Sequence, residues 1–202
     1  PMKSGSKKDE QYAGAYVKDP IVGRHEWVVS FDLNSLYPHL IMQYNISPET
    51  KIDLDDDRFG MGVDNLLKSN PERYYKGCHE KLEKFKSMEY SVAANGTCYT
   101  KDRQGFLPAL MEKMYEERSM YKKLMIEAQK RKQEDPDNKS IDFEISKYHN
   151  FQQVRKIQLN SAYGAIGNEW FRYFDVGMAE AITLSGQLSI RWIIKHLNEF
   201  LN

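Results

Sequence analysis

Apolar and polar positions along this chain fall into segments with different periods. Between residues 11 and 25 no period holds, and Gly14, Pro20 and Gly23 predict irregular or short extended backbone. Trp27-Val28-Val29-Ser30-Phe31-Asp32-Leu33 is aromatic and β-branched and closes on an acidic residue, which predicts a buried strand. A helix follows over Ser35 to Gln43, with Leu36, Leu40 and Ile41 at helical spacing and Pro38 tolerated in the first turn. Residues 46–105 are weakly patterned. Within them Cys98-Tyr99-Thr100 predicts a short strand, and Asn95-Gly96 before it a turn. Leu107 to about Lys132 carries a strong helical pattern, which Glu134-Asp135-Pro136-Asp137-Asn138 breaks. A second helix runs from Ile141 or Phe143 to Tyr163, so the two form an antiparallel hairpin of long helices. Beyond Gly164, Gly167 and Asn168 an amphipathic helix covers Ala179 to Leu201. Ile182, Ile190, Ile193, Leu197 and Phe200 lie on its apolar side.

Composition narrows the class. The 202 residues suit one domain, or one domain with a protruding substructure, and 41% hydrophobic with 29% charged residues is a globular balance. No apolar run approaches the ~20 residues of a membrane helix. Pro1 to Glu10 is polar and mixed in charge, which reads as a disordered tail over residues 1–11 and not as a signal peptide. Cys78 and Cys98 read as reduced thiols. The 29 basic residues balance 29 acidic ones. That argues against an unaided tight grip on DNA, and leaves a local basic patch open. Asp53, Asp55, Asp56 and Asp57 show no ligand spacing, so a solvated loop is the simpler reading and a metal loop the alternative.

Three constellations carry candidate chemistry. In Asp32-Leu33-Asn34-Ser35-Leu36-Tyr37-Pro38 a carboxylate ends a strand where a helix begins. That is a position for a Mg²⁺ ligand beside backbone N–H groups that attract anions; from the residues alone, an Asp that merely caps the helix is the simpler reading. On the first long helix, wheel angles of about 100° per residue set Met111, Met114, Tyr115 and Met125 on one face, with Arg118 and Lys122 stacked in its middle. Two cations in an apolar stripe need an anion, or else snorkel outward or pair with Glu116 and Glu117. On the second long helix Lys156, Asn160 and Tyr163 share a face at i, i+4, i+7, which suits a phosphate, a sugar and a base; an ordinary polar face is the alternative. In a hairpin, Arg118, Lys122 and Lys156 converge, and a triphosphate is the natural ligand for them.

Asp32-Leu33-Asn34-Ser35-Leu36-Tyr37-Pro38 resembles motif A of the family B DNA polymerases, Asp-x-x-Ser-Leu-Tyr-Pro. Lys156-x-x-x-Asn160-Ser161-x-Tyr163-Gly164 resembles their motif B. The two stand in the right order with a fingers-sized insertion between them. Gly14-Ala15-Tyr16-Val17-Lys18-Asp19-Pro20, Asn45-Ile46-Ser47-Pro48-Glu49-Thr50 and Trp170-Phe171-Arg172-Tyr173 are similar to the replicative polymerases of T-even-like bacteriophages. The likeness runs from about Tyr12 to Asn202 and is weakest between Lys51 and Tyr90.

The resemblance implies an α+β chain: part of a polymerase palm over 12–105, a long antiparallel helical-hairpin fingers subdomain over 106–165, and a palm helix over 166–202. It implies templated nucleotidyl transfer to a DNA 3′ end, with Asp32 and Lys156 as the catalytic candidates. Asp32 and the Leu33 carbonyl would bind the two catalytic Mg²⁺ ions. Ser35 and Leu36 would touch the triphosphate of the incoming deoxynucleotide (dNTP) through their backbone, and Tyr37 would pack under the deoxyribose and clash with a ribose 2′-OH. Arg118, Lys122 and Lys156 would hold the triphosphate; Asn160 and Tyr163 would line the base-pair pocket, with Gly164 allowing close approach. His39 stands where the family usually has Ser, implying a difference in packing or DNA contact.

Motif C, Tyr-Gly-Asp-Thr-Asp, occurs nowhere in the sequence. A truncated or split polymerase is therefore expected, inactive alone, whose partners are the dNTP, primer-template DNA and the remaining motif C palm, thumb and exonuclease parts. No membrane partner is expected, and the location is the cytoplasm of an infected bacterium. The alternative is a non-catalytic module or regulatory partner that binds nucleotide or nucleic acid.

Overall fold

A computed structural model describes residues 13–52, 63–68, 87 and 90–201. In chain order the elements are α1 (Leu36–Tyr44), β1 (Lys51–Ile52), α2 (Val63–Lys68), β2 (Ser91–Val92), β3 (Cys98–Tyr99), α3 (Phe106–Glu134), α4 (Lys139–Ile166) and α5 (Val176–Leu201). The class is α+β: mostly helix with one small sheet in the order β1-β3-β2. Both pairings are antiparallel, with Lys51 and Ser91 each opposite Tyr99. The Asn95-Gly96 turn forms as expected, with Gly96 at φ 83°.

The two long helices do fold back on one another. Asp135 to Asn138 separate them, and the Asn138 side chain caps α4 by accepting the Ser140 N–H at 3.0 Å. Pairs descend antiparallel from tip to base: Arg131 with Glu144, Lys132 with Asp142 at 2.7 Å, Tyr121 against Tyr148 and Phe151, and Arg155 with Glu117. The exposed ion pairs near the tip are worth about 0–1 kcal/mol each, so they set register more than stability. Burial of Ala128, Ile141 and Leu159 along the seam supplies the holding force.

A short polar segment after α1 anchors the base of the hairpin. Asn45 takes the left-handed conformation, φ 58°, which ends α1. Its side-chain amide donates to the Thr100 and Arg103 carbonyls, both at 2.8 Å, and accepts the Gly105 N–H at 2.8 Å. Glu49 Oε1 accepts the Phe106 N–H at 2.6 Å, and Ser47 Oγ accepts the Leu107 N–H at 3.4 Å. The first amides of α3 thus find acceptors 57 to 60 residues away in sequence, in place of a local cap. Above this point the core joins all layers: Ile41 and Ile46, Tyr99, Leu107 and Met111, Leu159 and Ile166, and Met178, Ala179 and Ile182. Asp175 caps α5 by accepting the Met178 N–H at 2.9 Å and pairs with Lys51 of β1 at 2.6 Å.

Two expectations fail. Trp27 to Leu33 is not a buried strand: it is irregular and open to solvent, with Trp27 97% exposed at φ 58°. Its composition suits a pleated surface, but no described strand lies beside it, and a strand without a ladder leaves its backbone to water. Phe200, assigned to the apolar side of the last helix, is 85% exposed, because the packing against α1 and the sheet ends well before it, near Gly186. The 1–11 tail, the acidic cluster 53–57 and Cys78 lie outside the described residues. Cys98 is a buried thiol, its pKa pushed up to about 11 by burial.

Two stability tests follow from this architecture. Burial raises the Glu49 pKa, but the Ser47 hydroxyl, the Phe106 amide, its own backbone amide and the Arg103 charge together hold it below its ordinary 4.5. Its contribution is therefore full above pH 4.5 and lost as pH falls through the lowered value. Glu49→Gln is expected to lower the melting temperature at pH 7 and to flatten its fall between neutral and acid pH, measured by circular dichroism. The Tyr99 hydroxyl is buried with no hydrogen-bond partner among the described residues. Tyr99→Phe is accordingly expected to be neutral or to stabilise by about 1 kcal/mol in urea unfolding.

Candidate functional site

The site begins where α1 begins. Ser35 precedes the helix at φ 54°, ψ 44°, and no side chain caps the first turn. Asp32 lies three residues before Ser35, exposed and out of capping position, so the capping alternative does not hold here. A left-handed non-glycine residue costs about 1–2 kcal/mol, and its neighbours must hold it. The Ser35 carbonyl accepts the His39 N–H at 3.1 Å and lies 2.8 Å from His39 Nδ1. A carbonyl only accepts, so Nδ1 carries the proton. The Ser35 hydroxyl donates to Asn34 Oδ1 at 3.2 Å.

The hairpin supplies the opposite wall. Arg118 Nη1 donates to Ser35 Oγ at 3.3 Å and lies 3.4 Å from Asn34 Oδ1, while its Nε is buried without a partner among the described residues. Glu117 is taken by Arg155 across the hairpin, so Arg118 does not pair with its neighbour. No described carboxylate forms an ion pair with Arg118 or Lys156. On α4, Tyr163 sets its ring 4.8 Å from that of Tyr37. Tyr37 in turn leans on α5 at Gly186, where a Cβ would meet Tyr37 Cε1 at 3.0 Å.

Between the walls lies a cavity of about 540 Å³, lined by residues 32–38 and by Arg118, Lys156, Asn160 and Tyr163. Two of the expected residues are not among its lining. Lys122 is exposed one turn farther along α3, and a Cβ at Gly164 would meet nothing within 4 Å. Asn34 was not singled out from sequence, yet it meets Arg118; nothing in the pattern marks a contact with a residue 84 positions away. Arg155, which removes Glu117 from competition, was missed for the same reason.

The family model described as "DNA polymerase family B" matches residues 1–202. The chain belongs to DNA polymerase family B. Relatives within the family include the "DNA-directed DNA polymerase" of Escherichia phage RB69, 33% identical over 96% of this chain and 24% of its own length. The "DNA-directed DNA polymerase" of Enterobacteria phage T4 is 31% identical over 99% of this chain and 25% of its own length. The likeness to polymerases of T-even-like phages is thereby borne out. In fold, the chain is similar to the family B DNA polymerase of the hyperthermophilic archaeon Pyrobaculum calidifontis, with a TM-score of 0.59 at 23% identity, covering 96% of this chain and 21% of that one. The chain spans about a quarter of the length of the phage relatives it matches.

Asp32 is the carboxylate among the cavity-lining residues, and no group of three His, Cys, Asp or Glu side chains gathers elsewhere among the described residues. A hard-oxygen donor set of one carboxylate and backbone carbonyls fits a Mg²⁺ that completes its shell with substrate phosphates and water.

The wedge of Tyr37 between Tyr163 and α5 makes the cavity sensitive to a residue outside it. Gly186→Val is expected to destabilise by about 1–3 kcal/mol through overpacking. Urea unfolding measures it, and an unchanged midpoint would show that Tyr37 is free to move aside.

Proposed function

We propose that this chain is the palm-and-fingers part of a replicative DNA polymerase and binds the incoming dNTP with Mg²⁺ for templated transfer to a DNA 3′ end. The observation that supports it is the single cavity shared by the Asp32–Tyr37 segment and by Arg118, Lys156, Asn160 and Tyr163. Residues 12–105 and 166–202 correspond in this reading to palm, and 106–165 to fingers.

The chemistry of each wall agrees with a triphosphate. Arg118 and Lys156 bring two cations without a described carboxylate to neutralise them, and the buried Arg118 Nε is a donor that a phosphate oxygen would satisfy. The start of α1, with no side-chain cap, offers backbone amides and the positive end of the helix dipole. Lys156 acts as a point charge for phosphate; Lys122 reaches the outer phosphates only if its flexible stem extends back toward the cavity. Tyr37, braced by Tyr163 and Gly186, forms a floor under the deoxyribose and excludes a 2′-OH. Asn160 and Tyr163 face the base, and Gly164, with open space around it, leaves room for the nascent pair.

Asp32 and the Leu33 carbonyl would hold the metal. When bound, Mg²⁺ supplies charge neutralisation on the phosphates and activation of the attacking 3′ oxygen. The chain's own residues orient the triphosphate and keep the sugar in place. In this reading the other polymerase parts and primer-template DNA are partners, and the protein works in an infected bacterial cell. No described helix is long and apolar enough to cross a membrane.

Titration calorimetry with a dNTP and Mg²⁺ tests the binding claim. Arg118→Ala and Lys156→Ala are each expected to lose about 1.5–3 kcal/mol, roughly 10- to 150-fold in Kd. Equal affinity of wild type and Lys156→Ala would remove the triphosphate role. Primer extension tests the enzymatic claim. It is expected only when the chain is combined with a polypeptide carrying the Tyr-Gly-Asp-Thr-Asp hairpin and thumb, and Asp32→Ala should abolish it. No extension from a complex shown to assemble would favour a non-catalytic nucleotide-binding module.

A further inference from the structure

We propose that His39 is a positioning residue for the phosphate-binding edge of the cavity, acting through Ser35 and Arg118. The claim rests on the nucleotide reading above and adds to it a residue outside the cavity lining. One imidazole makes two contacts on two different elements. Its Nδ1–H lies 2.8 Å from the Ser35 carbonyl, and its edge meets the Tyr115 ring of α3 at 4.7 Å and 81°.

These contacts close a ring. Tyr115 and Arg118 are three residues apart on α3 and so share a face. Arg118 Nη1 reaches the Ser35 hydroxyl at 3.3 Å, and the Ser35 carbonyl returns to His39. Ser35 sits in the left-handed region, where its own preference is to relax. The backbone His39 N–H already occupies its carbonyl at 3.1 Å, as any helix start would provide. The Nδ1–H is the second donor on that oxygen, and it distinguishes this turn from an ordinary one. Losing it frees the Ser35 peptide to rotate, which withdraws the hydroxyl from Arg118. Losing the ring frees α3 from α1 at the level of Arg118. A Ser at this position could bond back to a carbonyl one turn earlier, but it is too short to reach Tyr115 as well. The tie between motif A and the Arg118 helix is therefore built from the residue in which this chain departs from the family pattern.

The experiment uses the full 202-residue chain and separates the two contacts. His39→Asn keeps a donor at the Nδ1 position and drops the ring contact, and His39→Phe keeps the ring and drops the donor. Both are expected to weaken dNTP·Mg²⁺ binding by about 3- to 10-fold, the range of one neutral interaction. In an Arg118→Ala background either change should have little further effect, because His39 acts through Arg118. Losses that simply add, or a lowered melting temperature with unchanged Kd, would overturn the proposal in favour of ordinary packing. NMR decides the case in which the wild type binds no dNTP, where the nucleotide reading alone has failed. The Arg118 Nε–H and Ser35 amide signals should move in His39→Phe, while spectra that match the wild type at both would sink the positioning role.

Discussion

One side-chain amide organises the meeting point of every layer. Asn45 stops α1 with a left-handed backbone while its side chain collects the Thr100 and Arg103 carbonyls and the Gly105 N–H. Those bonds fix the exit from the sheet and the entry to α3 in one stroke. An aspartate could not replace it, since a carboxylate accepts but does not donate. Leucine-sized residues would leave the part-buried Thr100 carbonyl and Gly105 N–H unpaired, each costing up to about 1–3 kcal/mol, while the exposed Arg103 carbonyl would turn to water. Ser47 and Glu49 extend the device along the first turn of α3.

From that fixed point the cavity follows. The loop before α1 forms one wall, the base of the hairpin the other, and α5 braces the floor through Tyr37 at Gly186. What gives the cavity its character is a surplus of donors. Glu117 is drawn across to Arg155, leaving Arg118 facing Asn34 and Ser35, two neutral oxygens that do not cancel its charge. Zero net charge over the chain coexists with a locally cationic cleft, because attraction for a polyanion depends on where the charges stand.

Long helices were legible in the sequence because their signal is periodic and self-contained. The hairpin was found within a few residues at each end, and Pro136 marked its break. Most of the lining was also legible: the Asp32–Pro38 run is contiguous, and Lys156, Asn160 and Tyr163 follow helical spacing on one element. What escaped was whatever depends on a distant partner. Trp27 to Leu33 has strand composition, but composition cannot supply the neighbouring strand. Asn34, Asn45 and Arg155 are ordinary polar residues until their partners fold against them. Lys122 shows the limit of wheel arithmetic: it shares a face with Arg118, yet four residues of helix carry it about 6 Å farther along the axis.

Among the described residues the hairpin's contacts with the rest of the chain lie toward its base, which makes it a cantilever. Its 29-residue first helix is about 43 Å long, and Arg118 stands about 18 Å from the anchored end. Beyond it, the hairpin's described ion pairs and ring contacts join α3 only to α4. Angular play of about 5° at the Asn45 anchorage would carry Arg118 about 1.6 Å and the tip about 3.8 Å, from the same helical rise. Stiffness at the fulcrum, together with the Tyr115–His39 and Arg118–Ser35 contacts partway out, thus decides how sharply the cationic wall is held against the loop it faces.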